Sequence, residues 1–147
     1  MTTVSYRGVI TTNDPYTPLT TGFKRGVGRN AFGRITSPYK GAGHKRSYRD
    51  IDFVYDIMDI PAKVQTVEYD PNRSGFIGLV AYRNGAKRYV LLPKSMKVGS
   101  TFVVSDKADL EVGNRTKLSS IPVGTFVYNI EVKPRAGAKL VRSAGVY

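Results

Sequence analysis

Cysteine and tryptophan are absent from the 147 residues, and histidine occurs once, at His44. Without cysteine there is no disulfide framework, thiolate metal site or thiol nucleophile. A single histidine excludes clusters of imidazoles around a metal, and no metal or other cofactor is expected. No apolar run approaches the ~20 residues of a membrane helix, so no membrane partner is expected either. The opening MTTVSYRGVITT lacks the charged-then-apolar layout of a secretory signal and is poor in arginine for a transit peptide.

Acidic residues are also scarce. Eleven Asp and Glu stand against 23 Lys and Arg, a net charge of +12 with a pI near 10.0. Residues 22–49 hold Lys24, Arg25, Arg29, Arg34, Lys40, Lys45, Arg46 and Arg49 with no acid, and residues 133–142 hold Lys133, Arg135, Lys139 and Arg142 with none. These two segments carry the whole excess. A balanced body with two cationic segments reads as one that docks on a polyanion through them.

Three zones follow from the pattern. Residues 1–49 are rich in Gly, Thr, Ser and Asn and show no helical or strand period. Asp14-Pro15, Thr17-Pro18 and Ser37-Pro38 each push the preceding residue out of helical geometry. Such a segment buries too little apolar surface to offset its ordering entropy, which predicts an extended basic arm. Residues from about 50 to 105 read as β, with strands over 51–55, 63–69, 76–82, 87–92 and 101–104. Asn84-Gly85 predicts a two-residue type I′ hairpin, whose central residues both need positive φ. Asp70-Pro71-Asn72-Arg73-Ser74 is turn chemistry. Five short strands with tight turns suit a closed barrel of the oligonucleotide-binding (OB) type, which removes exposed edges. In residues 119–147, Thr125–Val132 alternates and Leu140-Val141 could begin a return strand.

The residues offer four possible chemistries. Gly26-Val27-Gly28-Arg29-Asn30-Ala31 matches a dinucleotide fingerprint, but no buried strand precedes it and Ser37-Pro38 follows where a helix is required. Asp50, Asp52, Asp56 and Asp59 could pair for acid–base work or hold Mg²⁺, yet solvated positions on an amphipathic strand look the same. No hydrolytic triad can be assembled from one histidine without a nucleophile beside it, and no catalytic residue is assigned. The basic stretch is the stronger signal. Phe23, Phe32, Tyr39, His44 and Tyr48 interleave with its cations, and aromatic and guanidinium planes stack on unpaired RNA bases while glycines let the backbone approach phosphates.

Several strings then carry a resemblance. Gly28-Arg29-Asn30-Ala31-Phe32-Gly33-Arg34-Ile35-Thr36, Gly41-Ala42-Gly43-His44-Lys45-Arg46-Ser47-Tyr48-Arg49 and Glu68-Tyr69-Asp70-Pro71-Asn72-Arg73-Ser74 are similar to segments of large-subunit ribosomal protein two, in family order. Ile121-Pro122-Val123-Gly124-Thr125 and Arg142-Ser143-Ala144-Gly145 resemble two more. Ala42 stands where the family has glycine, and Tyr128 where it usually has histidine.

The resemblance implies a mainly β fold: an extended basic arm over 1–49, an OB-like five-stranded barrel over 50–118, and over 119–147 the first strands of an SH3-like barrel. It implies a structural constituent of the large ribosomal subunit that binds rRNA, supports assembly and lies near the peptidyl transferase centre. RNA-contacting residues are then expected at Lys24, Arg25, Arg29, Asn30, Arg34, Lys40, His44, Lys45, Arg46, Tyr48, Arg49, Asn72, Arg73, Lys133, Arg135, Lys139, Arg142 and Ser143. Arg73 is expected either to reach rRNA, leaving stability untouched when removed, or merely to complete its turn. The family continues beyond the point matched by residue 147, with a Gly/His-rich extension. This leads us to expect a separately encoded C-terminal half as partner, beside rRNA and other large-subunit proteins, in a mitochondrial or alternatively a plastid ribosome. The competing reading is a free OB-fold module that binds single-stranded RNA or acts as a translation factor.

Overall fold

A computed structural model describes residues 5–22, 26–41 and 43–147. Among these the fold is mainly β without an α-helix. The strands are β1 (Thr20–Gly22), β2 (Ser47–Arg49), β3 (Ala62–Glu68), β4 (Ile77–Tyr82), β5 (Lys87–Leu91), β6 (Thr101–Phe102), β7 (Ile130–Glu131) and β8 (Ala138–Leu140), with 3₁₀ turns at Thr17–Leu19 and Leu118–Ser120. The central sheet runs β5-β4-β3-β6, antiparallel throughout, and β1-β2 and β7-β8 form separate two-stranded ladders.

The central sheet curls because β3 carries a bulge. Val64 faces Val80 but Thr66 faces Leu79, which leaves Gln65 as the extra residue. On its other side Val64 N–H donates to Ser100 O and Val64 O accepts Gly99 N–H, at 2.9 Å each. Residues 51–60 close the barrel between the two sheet edges. Asp52 N–H donates to Tyr89 O on β5 at 2.8 Å, and Asp59 N–H donates to Val104 O beyond β6 at 2.8 Å. This is the OB-like barrel.

Three local expectations change. The strand expected over 51–55 reduces to one parallel bridge, Ile51 to Tyr89. The cause is Asp52, whose Oδ1 accepts the N–H groups of Val54 and Tyr55 at 2.9 Å and turns the chain, with Tyr55 at φ 55. The 84–85 hairpin has three loop residues and not two. Gly85 N–H donates to Tyr82 O, Tyr82 N–H donates to Ala86 O, and only Gly85 has positive φ, which is a type I turn followed by a bulge. The alternating run 125–132 supplies only β7. Asn129 breaks it with φ 58, donating its backbone N–H to Val141 O and its side-chain amide to the Tyr55 hydroxyl.

Both faces of the sheet are buried. Inside the barrel lie Val64, Val80, Tyr82, Val90, Phe102 and Val104 with Tyr55 and Met96. On the outer face Ile77, Leu79, Tyr89 and Leu91 join Ile51, and Tyr16, Leu19, Phe53 and Tyr128 cover them. Hence β4 reads as a continuous apolar run rather than an alternating one. Each fully buried aliphatic or aromatic side chain contributes about 1.5–3 kcal/mol. The flanking segments are therefore held by the same apolar surface that builds the barrel.

Candidate nucleic-acid interface

The basic segment leaves and returns at one place. β1 and β2 pair Thr20 with Arg49, Thr21 with Tyr48 and Gly22 with Ser47, and Asp50 N–H donates to Leu19 O at 2.9 Å. The expected arm is thus a long loop clamped at its base. The reason is upstream: Tyr16 and Leu19 bury against the barrel, and Thr11 exchanges hydrogen bonds with Val67.

Within the loop a second, smaller turn forms around Asn30. Its Oδ1 accepts the N–H groups of Phe32 at 3.0 Å and Arg34 at 2.9 Å, and its backbone N–H donates to Arg34 O at 3.0 Å. Gly28 O accepts from Thr36 N–H, Thr36 Oγ1 and Ser37 N–H. Gly28 has φ +72, and a Cβ there would lie 2.6 Å from Ser37 O, so only glycine fits this approach. Asn30 therefore organises the turn, and its side chain is used internally. Arg29, Arg34, Lys40, His44 and Lys45 are exposed around it. Arg29 reaches back to Gly33 O at 3.2 Å, and His44 Nδ1 lies 2.8 Å from Lys45 O. Tyr48 is part-exposed on β2, whereas Arg49 is buried and donates to Ser47 O at 3.0 Å. Phe23, Lys24, Arg25 and Ala42 lie outside the described residues.

The turn Asp70–Ser74 is a hub. Asp70 is fully buried, and its carboxylate takes Arg73 Nε at 2.5 Å and the backbone and side-chain amides of Asn72 at 2.9 and 3.1 Å. The basic loop docks on it: Arg46 donates to Pro71 O and Asn72 Nδ2 donates to Ser47 O, both at 2.7 Å. From the opposite end of the chain Ala144 N–H donates to Ser74 Oγ at 3.1 Å. Phe53 sits between Arg73, 5.8 Å from its ring centre, and Arg142, 4.5 Å from it. The guanidinium of Arg73 and the amide of Asn72 are thus engaged inside the protein.

The second basic segment spans the β7–β8 loop. Lys133, Arg135 and Lys139 are exposed, as are Arg142 and Ser143. Glu131 fixes the loop by accepting Arg135 N–H at 3.0 Å, and it pairs with Arg115 at 3.0 Å. Phe53 O accepts Ala138 N–H at 2.8 Å. Both cationic segments therefore flank one assembly, built from the 70–74 turn and Phe53. Sequence reasoning missed Phe53, whose position in an apolar run gave no hint of two arginines on its ring.

The four ion pairs of the described residues use Arg73, Arg88, Arg115 and Lys117. The exposed cations of the two segments have no carboxylate partner among them, so their charge faces outward. The 50–59 carboxylates do not converge on a common task. Asp52 caps its turn and pairs with Arg88 at 4.0 Å, while Asp50, Asp56 and Asp59 are exposed. Among the described residues no group of three or more His, Asp or Glu could hold a metal, and no helix is long and apolar enough to cross a membrane.

Residues 16–105 match the family model of the RNA-binding N-terminal domain of ribosomal proteins L2, and residues 111–147 match the C-terminal domain of the same family. The first match alone spans more than half of the chain and contains the clamped basic loop, the barrel and the 70–74 turn. The second contains the β7–β8 loop and the segment docked on Ser74. A chain matched in this order by both domains of one family, over more than half of its length by the first alone, belongs to the ribosomal protein L2 family of the large subunit.

Proposed function

We propose that this protein is a structural component that binds large-subunit rRNA, supports subunit assembly and contributes to the architecture near the peptidyl transferase centre. One observation carries the reading. Arg29, Arg34, Lys40 and Lys45 on the clamped loop, and Lys133, Arg135 and Lys139 on the β7–β8 loop, are exposed cations without carboxylate partners among the described residues, and the two loops flank the same turn. Positive charge placed in this way neutralises phosphates and releases counterions. The 70–74 turn then holds the two loops in register, so Asn72 and Arg73 act by positioning them.

Phe126, Val132 and Leu140 are exposed around the β7–β8 ladder. In this reading another polypeptide covers them in the assembled particle. The organellar setting expected from the sequence belongs to the same proposal. It is checked by finding the protein in purified mitochondrial, or else plastid, ribosomes. The decisive experiment is co-sedimentation of the full chain with large subunits through a high-salt wash. Retention is the expected result. Complete release, with the protein monomeric and free of RNA, would favour a transient RNA-binding module.

A further inference from the structure

We propose that Phe32 and Tyr39 are base-stacking residues that hold unpaired nucleotides of the bound RNA; this rests on the rRNA-binding reading above. Phe32 is 90% exposed and Tyr39 fully so. Other surface aromatics are used within the protein: Tyr6 stacks on Tyr69 with centroids 5.5 Å apart, and Phe126 packs edge-on against Tyr147 at 4.5 Å.

The ring of Phe32 is held out by a built turn. Asn30 Oδ1 receives the Phe32 N–H itself, the Arg34 N–H closes on the same oxygen, and Gly33 completes the turn with φ +78. A backbone already ordered in this turn loses little conformational freedom when a base stacks on the ring it presents. Arg29 and Arg34 flank it in sequence and bridge to the same small ladder, through Arg29 to Ile35. They supply cations for the phosphates on either side of a stacked nucleotide. Tyr39 sits at the foot of this turn with φ 60, a conformation that bulky L-residues rarely adopt. Among the described residues its ring packs on nothing that would offset that conformation, and Lys40 follows it.

The occupant follows from charge and from ring geometry. From residue 26 to residue 49 there is no acidic side chain, so the complement is a polyanion and not a basic peptide. In a duplex the base faces are covered by their neighbours. Only bulged, looped or single-stranded nucleotides offer a free face to an aromatic ring.

The test titrates the full chain and its variants against a transcript of large-subunit rRNA, with chemical probing of the bound nucleotides. Phe32→Ala and Tyr39→Ala should each weaken binding by about fivefold to a hundredfold, the range for loss of one base–aromatic stack. The salt dependence should keep its slope because no phosphate contact is removed. Phe32→Tyr should bind like the parent, and one or a few unpaired nucleotides should become reactive in the alanine variants. Affinities within about twofold of the parent, or equal rescue by Phe32→Leu, would overturn the proposal and leave rRNA binding standing. A parent chain that does not bind the transcript would remove the reading beneath it.

Discussion

Tyr89 donates its phenolic hydrogen to Glu68 Oε2 across 2.8 Å, with both side chains sealed from solvent. The same hydroxyl accepts Tyr16 N–H at 2.7 Å, and Thr66 Oγ1 donates to the other Glu68 oxygen at 2.7 Å. One buried cluster thus joins β3, β5 and the segment that leads into the basic loop. Burial pushes the Tyr89 hydroxyl well above the ordinary tyrosine range, and the Glu68 bond adds to this. The phenol therefore stays protonated and remains a donor.

Tyr89→Phe should cost about 2–3 kcal/mol, because it leaves a buried carboxylate oxygen and a backbone N–H without partners. Urea unfolding measures the loss, and hydrogen exchange at Tyr16 should quicken. A cost below ~0.5 kcal/mol would mean that the cluster is not what secures the segment.

Arg73→Ala should destabilise the protein by about 3–5 kcal/mol, since it strands the fully buried Asp70 carboxylate. This replaces the expectation, open from sequence, that removing Arg73 leaves stability untouched. An unfolding midpoint within error of the parent would restore it.

Arg115 bridges the barrel and the last zone. It pairs with Glu131, donates to Asn129 O at 3.0 Å and lies 4.6 Å from the ring centre of Tyr55. Arg115→Ala should speed amide exchange across 129–141 while β3–β5 stays protected. Uniform exchange changes across the whole chain would contradict a junction role.

Burial, reinforced by Asp52 and Asp56 and opposed by Arg88, pushes the Tyr82 hydroxyl up to about 12, and burial, opposed by Arg115, pushes Tyr128 up to about 12. Unfolded tyrosines titrate near ~10, so the unfolded chain releases these protons first. Stability should therefore be level below about pH 10 and fall as pH rises toward 12. The Tyr82 hydroxyl is buried without a partner among the described residues. Tyr82→Phe should be neutral or stabilising by up to about 1 kcal/mol at pH 8 and should blunt the alkaline loss. Denaturant midpoints at pH 8 and pH 11 decide it; an unchanged alkaline loss would exclude Tyr82 as its source.

Neutralising Arg29, Arg34, Lys45 and Arg46 together should lower the salt slope of RNA binding by about three units, at −0.7 to −0.9 per phosphate. Single changes should do little. An unchanged slope in the fourfold variant would place the phosphate contacts elsewhere.

The sequence by itself determined the class and the charge. Period-2 runs and turn residues made the fold β, the absence of cysteine and of a second histidine removed whole chemistries, and the two acid-free segments located the cationic surface. These are local properties, carried by residue type and spacing. It did not determine how those segments are held. Tyr16 and Leu19 are ordinary residues until the outer face of β4–β5 gives them a surface, and only then is the arm a clamped loop. Pro71 and Asn72 likewise acquire partners at Arg46 and Ser47, and Phe53 and Ser74 at Arg142 and Ala144, far away along the chain. Asn129 interrupts an alternating run because Tyr55, 74 residues distant, takes its amide. Such pairings are tertiary: a polar group or ring chooses its partner by where the barrel closes, and local pattern holds no record of that.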